Sequence, residues 1–205
     1  KDKLIIYYKN FKKKLNFLTT QDLIIVDTPY GIDNSLKKFC ETKKLKKVLL
    51  IDDENKPKLK NCIILNGIKY FKKKVIKSNL MKIYQGPKYI ILDKKFSKNY
   101  TNQVSNKILI ACGGTDKKNT LFKIVKLVKN FKNIKFYVVI GQMVSKKNPI
   151  YKIKSKNIEL INKKTDLINY YKKSMACIVA GGIMMFEALS MNKIVYAIKV
   201  YNHQK

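Results

Sequence analysis

The stretch Ala176-Cys-Ile-Val-Ala-Gly-Gly-Ile-Met-Met-Phe-Glu-Ala-Leu-Ser190 decides the predicted fold of this chain. It begins with an apolar run that Gly181-Gly182 closes, which is typical of a buried strand leaving a sheet. Apolar residues then recur at helical spacing, so the glycines predict a strand-to-helix turn. Glycine lets a ligand approach the backbone, and a helix N-terminus offers unpaired N–H groups. The stretch fits either a nucleotide pocket, with Glu187 reaching a sugar hydroxyl, or a plain corner of the fold with Glu187 in solvent.

The same pattern occurs earlier, in Lys107-Ile-Leu-Ile-Ala-Cys-Gly-Gly-Thr-Asp116, and an amphipathic helix is predicted to follow over about residues 118–131. Thr115 and Asp116 are predicted as caps of that helix. Two glycine pairs, each closing a strand and opening a helix, suit a nucleotide diphosphate, because backbone amides and the helix dipole favour phosphate. Neither pair has the Gly-x-Gly-x-x-Gly spacing of dinucleotide sites or the Gly-Lys-Ser/Thr of an ATPase loop.

Short branched apolar runs alternate with helical segments along the rest of the chain, which predicts parallel sheets. The predicted strands include Leu23–Asp27, Lys47–Asp53, Cys62–Asn66, Tyr89–Asp93, Phe136–Gly141, Asn157–Ile161, Ala176–Ala180 and Lys193–Val200. Helices are predicted from Asp33 to Thr42 and from Asp166 to Lys173. The fold class is α/β with two Rossmann-like lobes. Residues 1–93 form the first lobe, the polar residues 94–106 a linker, and residues 107–205 the second lobe.

The composition is that of a globular protein, with 46% hydrophobic residues in 205. No apolar run approaches the ~20 residues that cross a bilayer, and the N-terminus does not resemble a signal peptide, so we expect a cytoplasmic protein. The four cysteines are scattered singly among apolar residues, which favours buried thiols over disulfides or zinc ligands.

A metal or cofactor is not predicted. Asp52-Asp53 ends a predicted strand, where paired carboxylates suit magnesium. We favour one capping and one solvated carboxylate, because the sequence identifies no third ligand.

The formal net charge of +32 raises the possibility of nucleic-acid binding. All 45 basic residues are lysine, however, and proteins that read bases or clamp phosphates usually exploit the bidentate guanidinium of arginine. The lysines also run along the whole chain, as an A/T-rich coding bias would produce. We therefore predict no nucleic-acid partner, although the charge favours anionic ligands such as a nucleotide sugar.

A series of motifs over roughly residues 22–204 resembles the UDP-sugar hydrolases of pseudaminic acid biosynthesis and the related spore coat polysaccharide biosynthesis proteins. The motifs are Leu49-Leu-Ile-Asp-Asp53, Asn66, Gln85-Gly-Pro-Lys-Tyr-Ile-Ile-Leu92, Ile108 to Asp116, Val139-Ile-Gly141, Ala180-Gly-Gly182 through Glu187, and Asn202-His-Gln204. The resemblance implies the two-lobed glycosyltransferase B architecture. It also implies metal-independent hydrolysis, in which water attacks the anomeric carbon with inversion and UDP leaves.

The resemblance also implies roles for individual residues. Tyr30, in Asp27-Thr-Pro-Tyr, would face the sugar, and Asn202 or Gln204 would approach the sugar or phosphates from the other lobe. Glu187 would accept hydrogen bonds from the ribose hydroxyls. The catalytic candidates are thus Tyr30 and Asn202, and the substrate-binding candidates are Gly113, Gly114, Thr115, Gly141, Gly181, Gly182, Glu187 and Gln204.

One feature of the hydrolase family is absent from these 205 residues, namely the Gly-x-Gly-His loop that supplies a general base. The only histidine, His203, is interpreted as a bystander. We therefore expect a monomeric fragment that lacks the first strand, the catalytic loop and the C-terminal end, and that binds UDP weakly without turnover. Two alternatives stay open: a UDP-sugar glycosyltransferase of the same architecture and a lysine-rich nucleic-acid-binding protein.

Overall fold

The computed structural model describes residues 23–27, 34–44, 47–51, 59, 62–68, 82–97, 100, 105–116, 118–162 and 166–200. The chain divides into two compact units, residues 1–91 and 92–205. Each unit contains a parallel sheet, one of four strands and one of five, which confirms the predicted α/β class with two Rossmann-like units.

The first unit is built on a four-stranded parallel sheet whose strands follow the chain order. Its elements are β1 (Leu23–Asp27), α1 (Asn34–Thr42), β2 (Lys47–Ile51), β3 (Cys62–Asn66) and β4 (Lys82–Gln85). Side chains alternate between faces along each strand, so Val48 and Leu50 of β2 share one buried face. They pack with Ile64 of β3 and Cys40 of α1. The helix therefore covers this face of the sheet.

The prediction of a strand at Tyr89–Asp93 is wrong, because the fourth strand lies earlier, at Lys82–Gln85. Gly86 has a left-handed φ of 102°, and Pro87–Tyr89 then forms a short 3-10 helix. The chain therefore leaves the direction of the strand at Gly86. Ile90 packs instead on Gly67, where an added Cβ would lie 2.7 Å from the Ile90 Cα. Sequence patterns missed β4 because it has only four residues, and two of them are the polar Lys82 and Gln85.

The second unit is built on a five-stranded sheet in which all four strand pairs are parallel. Its elements are β5 (Lys107–Ala111), α2 (Thr120–Val128), β6 (Lys135–Ile140), β7 (Ile158–Asn162), α3 (Ile168–Lys173), β8 (Ala176–Ala180), α4 (Ile183–Ser190) and β9 (Ile194–Ile198). The spatial order is β7-β6-β5-β8-β9. If the strands are counted from β5, this is the 3-2-1-4-5 order of a Rossmann sheet.

The two faces of this sheet carry separate apolar clusters, because successive strand residues point to opposite sides. Leu109 of β5 lies in the cluster that includes residues of α3 and α4. Ile110, the next residue, lies in the cluster that includes Leu121 and Val125 of α2. Both β5 residues are fully buried, and burial of such a side chain stabilises the fold by about 1.5–3 kcal/mol. Helices therefore cover both faces and leave the ends of the strands as the place for a site.

The second unit includes residues that the sequence assigned to a linker. Residues Lys94–Ser97 form a short 3-10 helix, and Phe96 is 5% exposed. Its ring meets the ring of Tyr171 edge-on, with 5.8 Å between the centroids. This apolar anchor starts the packed second unit before β5.

All four cysteines are buried, as predicted, and none of them forms a disulfide: Cys40 and Cys62 lie in the first unit, Cys112 and Cys177 in the second. Burial raises the pKa of both the Cys112 and Cys177 thiols to about 12. They are therefore neutral packing groups at physiological pH. Among the helices of the described residues, none combines the length and apolarity needed to pass through a membrane.

Candidate functional site

Three glycines stand at the same level beyond the carboxyl ends of three neighbouring strands. The parallel register forms one row of the sheet from Ala111 on β5, Val139 on β6 and Val179 on β8. Each glycine lies two residues beyond this row, and the three are Gly113, Gly141 and Gly181. Together with Gly114 and Gly182 they account for five of the eight glycines in the chain. The fold thus collects its smallest residues at one edge of one sheet.

This edge contains the point at which the strand order reverses. From β5 the chain moves to β6 on one side, whereas β8 lies on the other side of β5. Ligands of open α/β sheets bind in the crevice at such a switch point, outside the carboxyl ends of the strands. Gly113 and Gly181 follow the two strands that flank the crevice, so the structure brings together the two glycine pairs that the sequence singled out.

The Gly113-Gly114 loop leaves open space on its outer side. Gly113 has a φ of +91°, a left-handed conformation that strongly favours glycine. A Cβ added at Gly113 would meet no heavy atom within 4 Å. At Gly114 an added Cβ would meet the Cε of Met143 at 3.1 Å. A ligand can therefore approach the backbone most closely at Gly113.

Gly141 supports this loop from the end of β6. A Cβ on Gly141 would overlap the carbonyl oxygens of Gly113 and Gly114, so only glycine allows the two segments to approach so closely. The Met143 amide donates a hydrogen bond to the Gly114 carbonyl at 3.0 Å, and the Val144 amide donates to the Gly141 carbonyl at 3.1 Å. Val144 is 6% exposed and anchors the turn. Gly141 is one of the predicted substrate-binding residues, and its contacts in the structure support the Gly113-Gly114 loop.

The second glycine pair starts α4. The Gly181 amide donates to the Ile198 carbonyl of β9 at 3.1 Å, so this N–H is used within the sheet. Gly182 is extended and precedes the first helical residue, Ile183. The first N–H groups of a helix have no partner within the helix. A ligand at this turn would therefore contact the first backbone amides of α4 rather than the amide of Gly181.

The Asp116 side chain caps a backbone amide of α2, as predicted, although the N-cap position itself is Asn119. The Oδ1 of Asp116 accepts a hydrogen bond from the Leu121 amide at 3.0 Å, and the side chain is 2% exposed. Its φ of +43° lets the chain turn into the helix. Its Oδ2 is buried without a hydrogen-bond partner in the described structure. The cap fixes the start of α2 next to the Gly113-Gly114 loop, and Thr115 lies between them, half-buried.

Glu187 lies one turn into α4 and is half-buried. The Tyr171 hydroxyl of α3 donates a hydrogen bond to Glu187 Oε2 at 2.9 Å. Burial, and then the charge of Glu187, raise the pKa of Tyr171, so the phenol stays a donor. No sequence motif marks Tyr171, because only the packing of α3 on α4 brings it to Glu187.

Lys199 is a second residue near the glycine turns that no sequence motif marks. Val179 pairs with Ala197 of β9, so Lys199 lies two residues beyond the same row as the glycines. Lys199 is exposed and places a cation at the level of the glycine turns. In a chain with 45 lysines no pattern distinguishes this one, and only the strand register reveals its position.

The chain is similar to two curated proteins. One is the Spore coat polysaccharide biosynthesis protein SpsG of Bacillus subtilis. It is 27% identical over 194 residues, which cover 89% of this chain and 57% of the Bacillus protein. The other is an uncharacterized protein of Methanocaldococcus jannaschii, 27% identical over 82% of this chain and 38% of the archaeal protein. The chain therefore spans little more than half of the first relative and less than half of the second. No protein family model matches the chain.

Several predicted site residues lie outside the residues that the structure describes. They are Tyr30, Asn202 and Gln204. His203, which is interpreted as a bystander, and the Asp52-Asp53 pair also lie outside the described residues. Their proposed roles stay predictions. Elsewhere, in the described ranges, no three His, Cys, Asp or Glu side chains come close enough to hold a metal ion.

A cavity of about 600 Å³ lies at the opposite end of the same sheet, where the strands begin. Asn106 lines it before β5, and Asn157 lines it before β7. Its basic lining residues are Lys132, Lys135, Lys154 and Lys156. This cavity contains none of the glycine turns, so it is distinct from the glycine-lined carboxyl edge. The candidate site is the glycine-lined carboxyl edge, because it contains the switch point of the sheet.

Proposed function

We propose that the second unit binds the diphosphate of a nucleotide sugar at the glycine-lined carboxyl edge of its sheet. The observation that carries this proposal is the common level of Gly113, Gly141 and Gly181 at the strand-order reversal. A diphosphate needs close approach to backbone amides, and glycine permits it. The start of α4 adds a partial positive charge of roughly half an elementary unit.

Each neighbouring residue has a role in this proposal. Amides at the Gly113-Gly114 loop and at the start of α4 hold the phosphate oxygens, and Thr115 donates from its hydroxyl. Lys199 contributes favourable charge from the end of β9. Glu187 accepts hydrogen bonds from the ribose hydroxyls, for which a carboxylate with its several acceptor positions is suited.

The proposed biological role is an enzymatic step in polysaccharide or nucleotide-sugar biosynthesis. It is supported by the similarity to the Bacillus spore coat polysaccharide biosynthesis protein at 27% identity. The resemblance of the motifs to UDP-sugar hydrolases narrows the proposal to release of UDP from a UDP-linked deoxy-diacetamido sugar. In that reaction a water oxygen bonds to the anomeric carbon with inversion, and the bond from that carbon to the UDP oxygen breaks. UDP leaves with the electron pair, and backbone amides around the diphosphate would stabilise its developing charge.

The first test is equilibrium binding of UDP to the chain. We expect UDP to bind more tightly than uridine, because the proposed site recognises the diphosphate. Binding of duplex DNA that is tighter than binding of UDP and falls steeply with salt would contradict the proposal and favour the nucleic-acid alternative.

The second test separates hydrolysis from transfer in the full-length protein. The protein is incubated with UDP-sugars in H₂¹⁸O, with and without a sugar acceptor. We expect free sugar that carries ¹⁸O at the anomeric carbon and needs no acceptor. Release of UDP only when an acceptor is present would identify a glycosyltransferase, and ¹⁸O in the UDP would place the attack at phosphorus.

A further inference from the structure

The fixed geometry of Tyr171 distinguishes it from an ordinary surface tyrosine. It is fully buried, and its hydroxyl lies 2.9 Å from Glu187 Oε2 and 3.4 Å from the Met184 carbonyl oxygen. Phe96 packs edge-on against its ring. A side chain that is closely packed and bonded in this way holds its hydroxyl at one place.

The partner of that hydroxyl is the carboxylate to which the proposed function assigns ribose recognition. A glutamate on a helix surface samples several rotamers and loses this freedom when a ligand binds. The bond from Tyr171 fixes Oε2 of Glu187 before the ligand arrives. Because a carboxylate accepts at about four positions, it can bind hydroxyls of a ligand together with Tyr171. Such preorganisation strengthens binding without a new contact to the ligand.

We propose that Tyr171 is a positioning residue that orients Glu187 toward the 2′- and 3′-hydroxyls of a ribonucleoside diphosphate. It thereby makes the site selective for ribonucleotides over 2′-deoxyribonucleotides. This inference rests on the proposed function and adds a specificity determinant to the same site. Tyr171 does not touch the ligand itself.

The test compares the dissociation constants of UDP and 2′-deoxy-UDP for the wild-type chain and for Tyr171→Phe. The wild-type chain should prefer UDP by about tenfold, the value expected for one hydrogen bond to a charged group. Tyr171→Phe removes only the hydroxyl and should reduce this preference to about threefold or less. The substitution should lower the affinity for UDP and leave the affinity for 2′-deoxy-UDP nearly unchanged.

Tyr137→Phe is the matched control. Tyr137 lies on β6, is 5% exposed and belongs to the same apolar cluster as Tyr171. Its substitution also removes only a tyrosine hydroxyl. The control should keep the wild-type ratio. If Tyr171→Phe weakens UDP and 2′-deoxy-UDP equally, or keeps the wild-type ratio, the positioning role is wrong and the proposed function stands. If the wild-type chain binds neither nucleotide, the proposed function fails and this inference fails with it.

A second variant keeps the test decisive if Tyr171→Phe does not fold. Glu187→Gln retains the size of the side chain and removes its charge, and it should also reduce the preference for UDP. Where both variants fold, the double variant should lose no more selectivity than Glu187→Gln alone, because the two residues act as one unit. Full selectivity in Glu187→Gln, or additive losses in the double variant, would overturn the inference.

Discussion

The two ends of the five-stranded sheet differ in what they offer a ligand. The carboxyl end presents glycine turns at one level and the starts of two helices, α2 and α4. The amino end presents a cavity of about 600 Å³ lined by lysine and asparagine side chains. One end thus offers backbone groups at glycine turns, whereas the other offers a cavity lined by charged side chains.

The polar groups of the amino end largely serve the fold. The Asn106 side chain donates to the Asn133 carbonyl, and the Asn157 side chain donates to the Phe131 carbonyl, both at 2.9 Å. Lys135 pairs with Glu159 at 2.7 Å. Exposed lysines lose rotamer entropy when they are held and gain little from screened charges. Backbone amides at a glycine turn are already in place, so we expect specific binding at the carboxyl end.

Among the substitutions considered, Gly141→Ala should disrupt the carboxyl end of the sheet most strongly. Its Cβ would overlap the carbonyl oxygens of Gly113 and Gly114, so the loop must shift. We expect the free energy of unfolding to fall by about 2–3 kcal/mol, as for overpacking, and UDP binding to be lost. Urea denaturation and equilibrium dialysis measure the two effects. A variant with wild-type stability would show that the close approach of Gly141 to the Gly113-Gly114 loop does not determine the structure of the carboxyl edge.

Gly113→Ala separates backbone conformation from packing at the same edge. The added Cβ meets open space, but alanine must adopt a φ of +91°. We expect a loss of about 1–2 kcal/mol of stability, from the left-handed strain alone. The affinity for UDP should fall by more than the loss of folded protein explains, because the methyl group enters the space proposed for the diphosphate. If UDP binding is unchanged in a folded Gly113→Ala variant, the ligand does not approach this loop.

The mildest prediction compares one lysine from each end. Lys199→Ala should weaken UDP binding about threefold at low salt, since an exposed charge contributes under about 1 kcal/mol. The effect should shrink as salt is added. Lys156→Ala, which removes an exposed lysine at the amino-end cavity, should leave UDP binding unchanged. A larger effect at Lys156 than at Lys199 would move the binding site to the amino end.

The sequence predicted the parts of the fold that local patterns encode. Apolar runs that end in Gly113-Gly114 and Gly181-Gly182 gave β5 and β8, and the spacing after each pair gave α2 and α4. β4 was missed because an edge strand such as Lys82–Gln85 buries too few side chains to produce an apolar run. The strand was placed instead at the more apolar Tyr89–Asp93.

The candidate site was predictable only in part, because its remaining members depend on tertiary contacts. The glycine pairs were visible as motifs, but their common level follows from the register of three strands. Tyr171 comes close to Glu187 only when α3 packs beside α4. Lys199 is one of many lysines until its position beyond the row at Val179 and Ala197 is known. Contacts between distant parts of a chain leave no local pattern to read.

The most direct test of the central claim is to follow backbone amide resonances of the chain while UDP is added. Our account predicts that the largest shifts occur at Gly113, Gly114, Gly182 and the first residues of α4. Resonances of Lys156 and Asn157, at the amino-end cavity, should stay in place. Shifts concentrated at the amino-end cavity, or a spectrum unchanged by millimolar UDP, would contradict the assignment of a nucleotide site to the carboxyl edge.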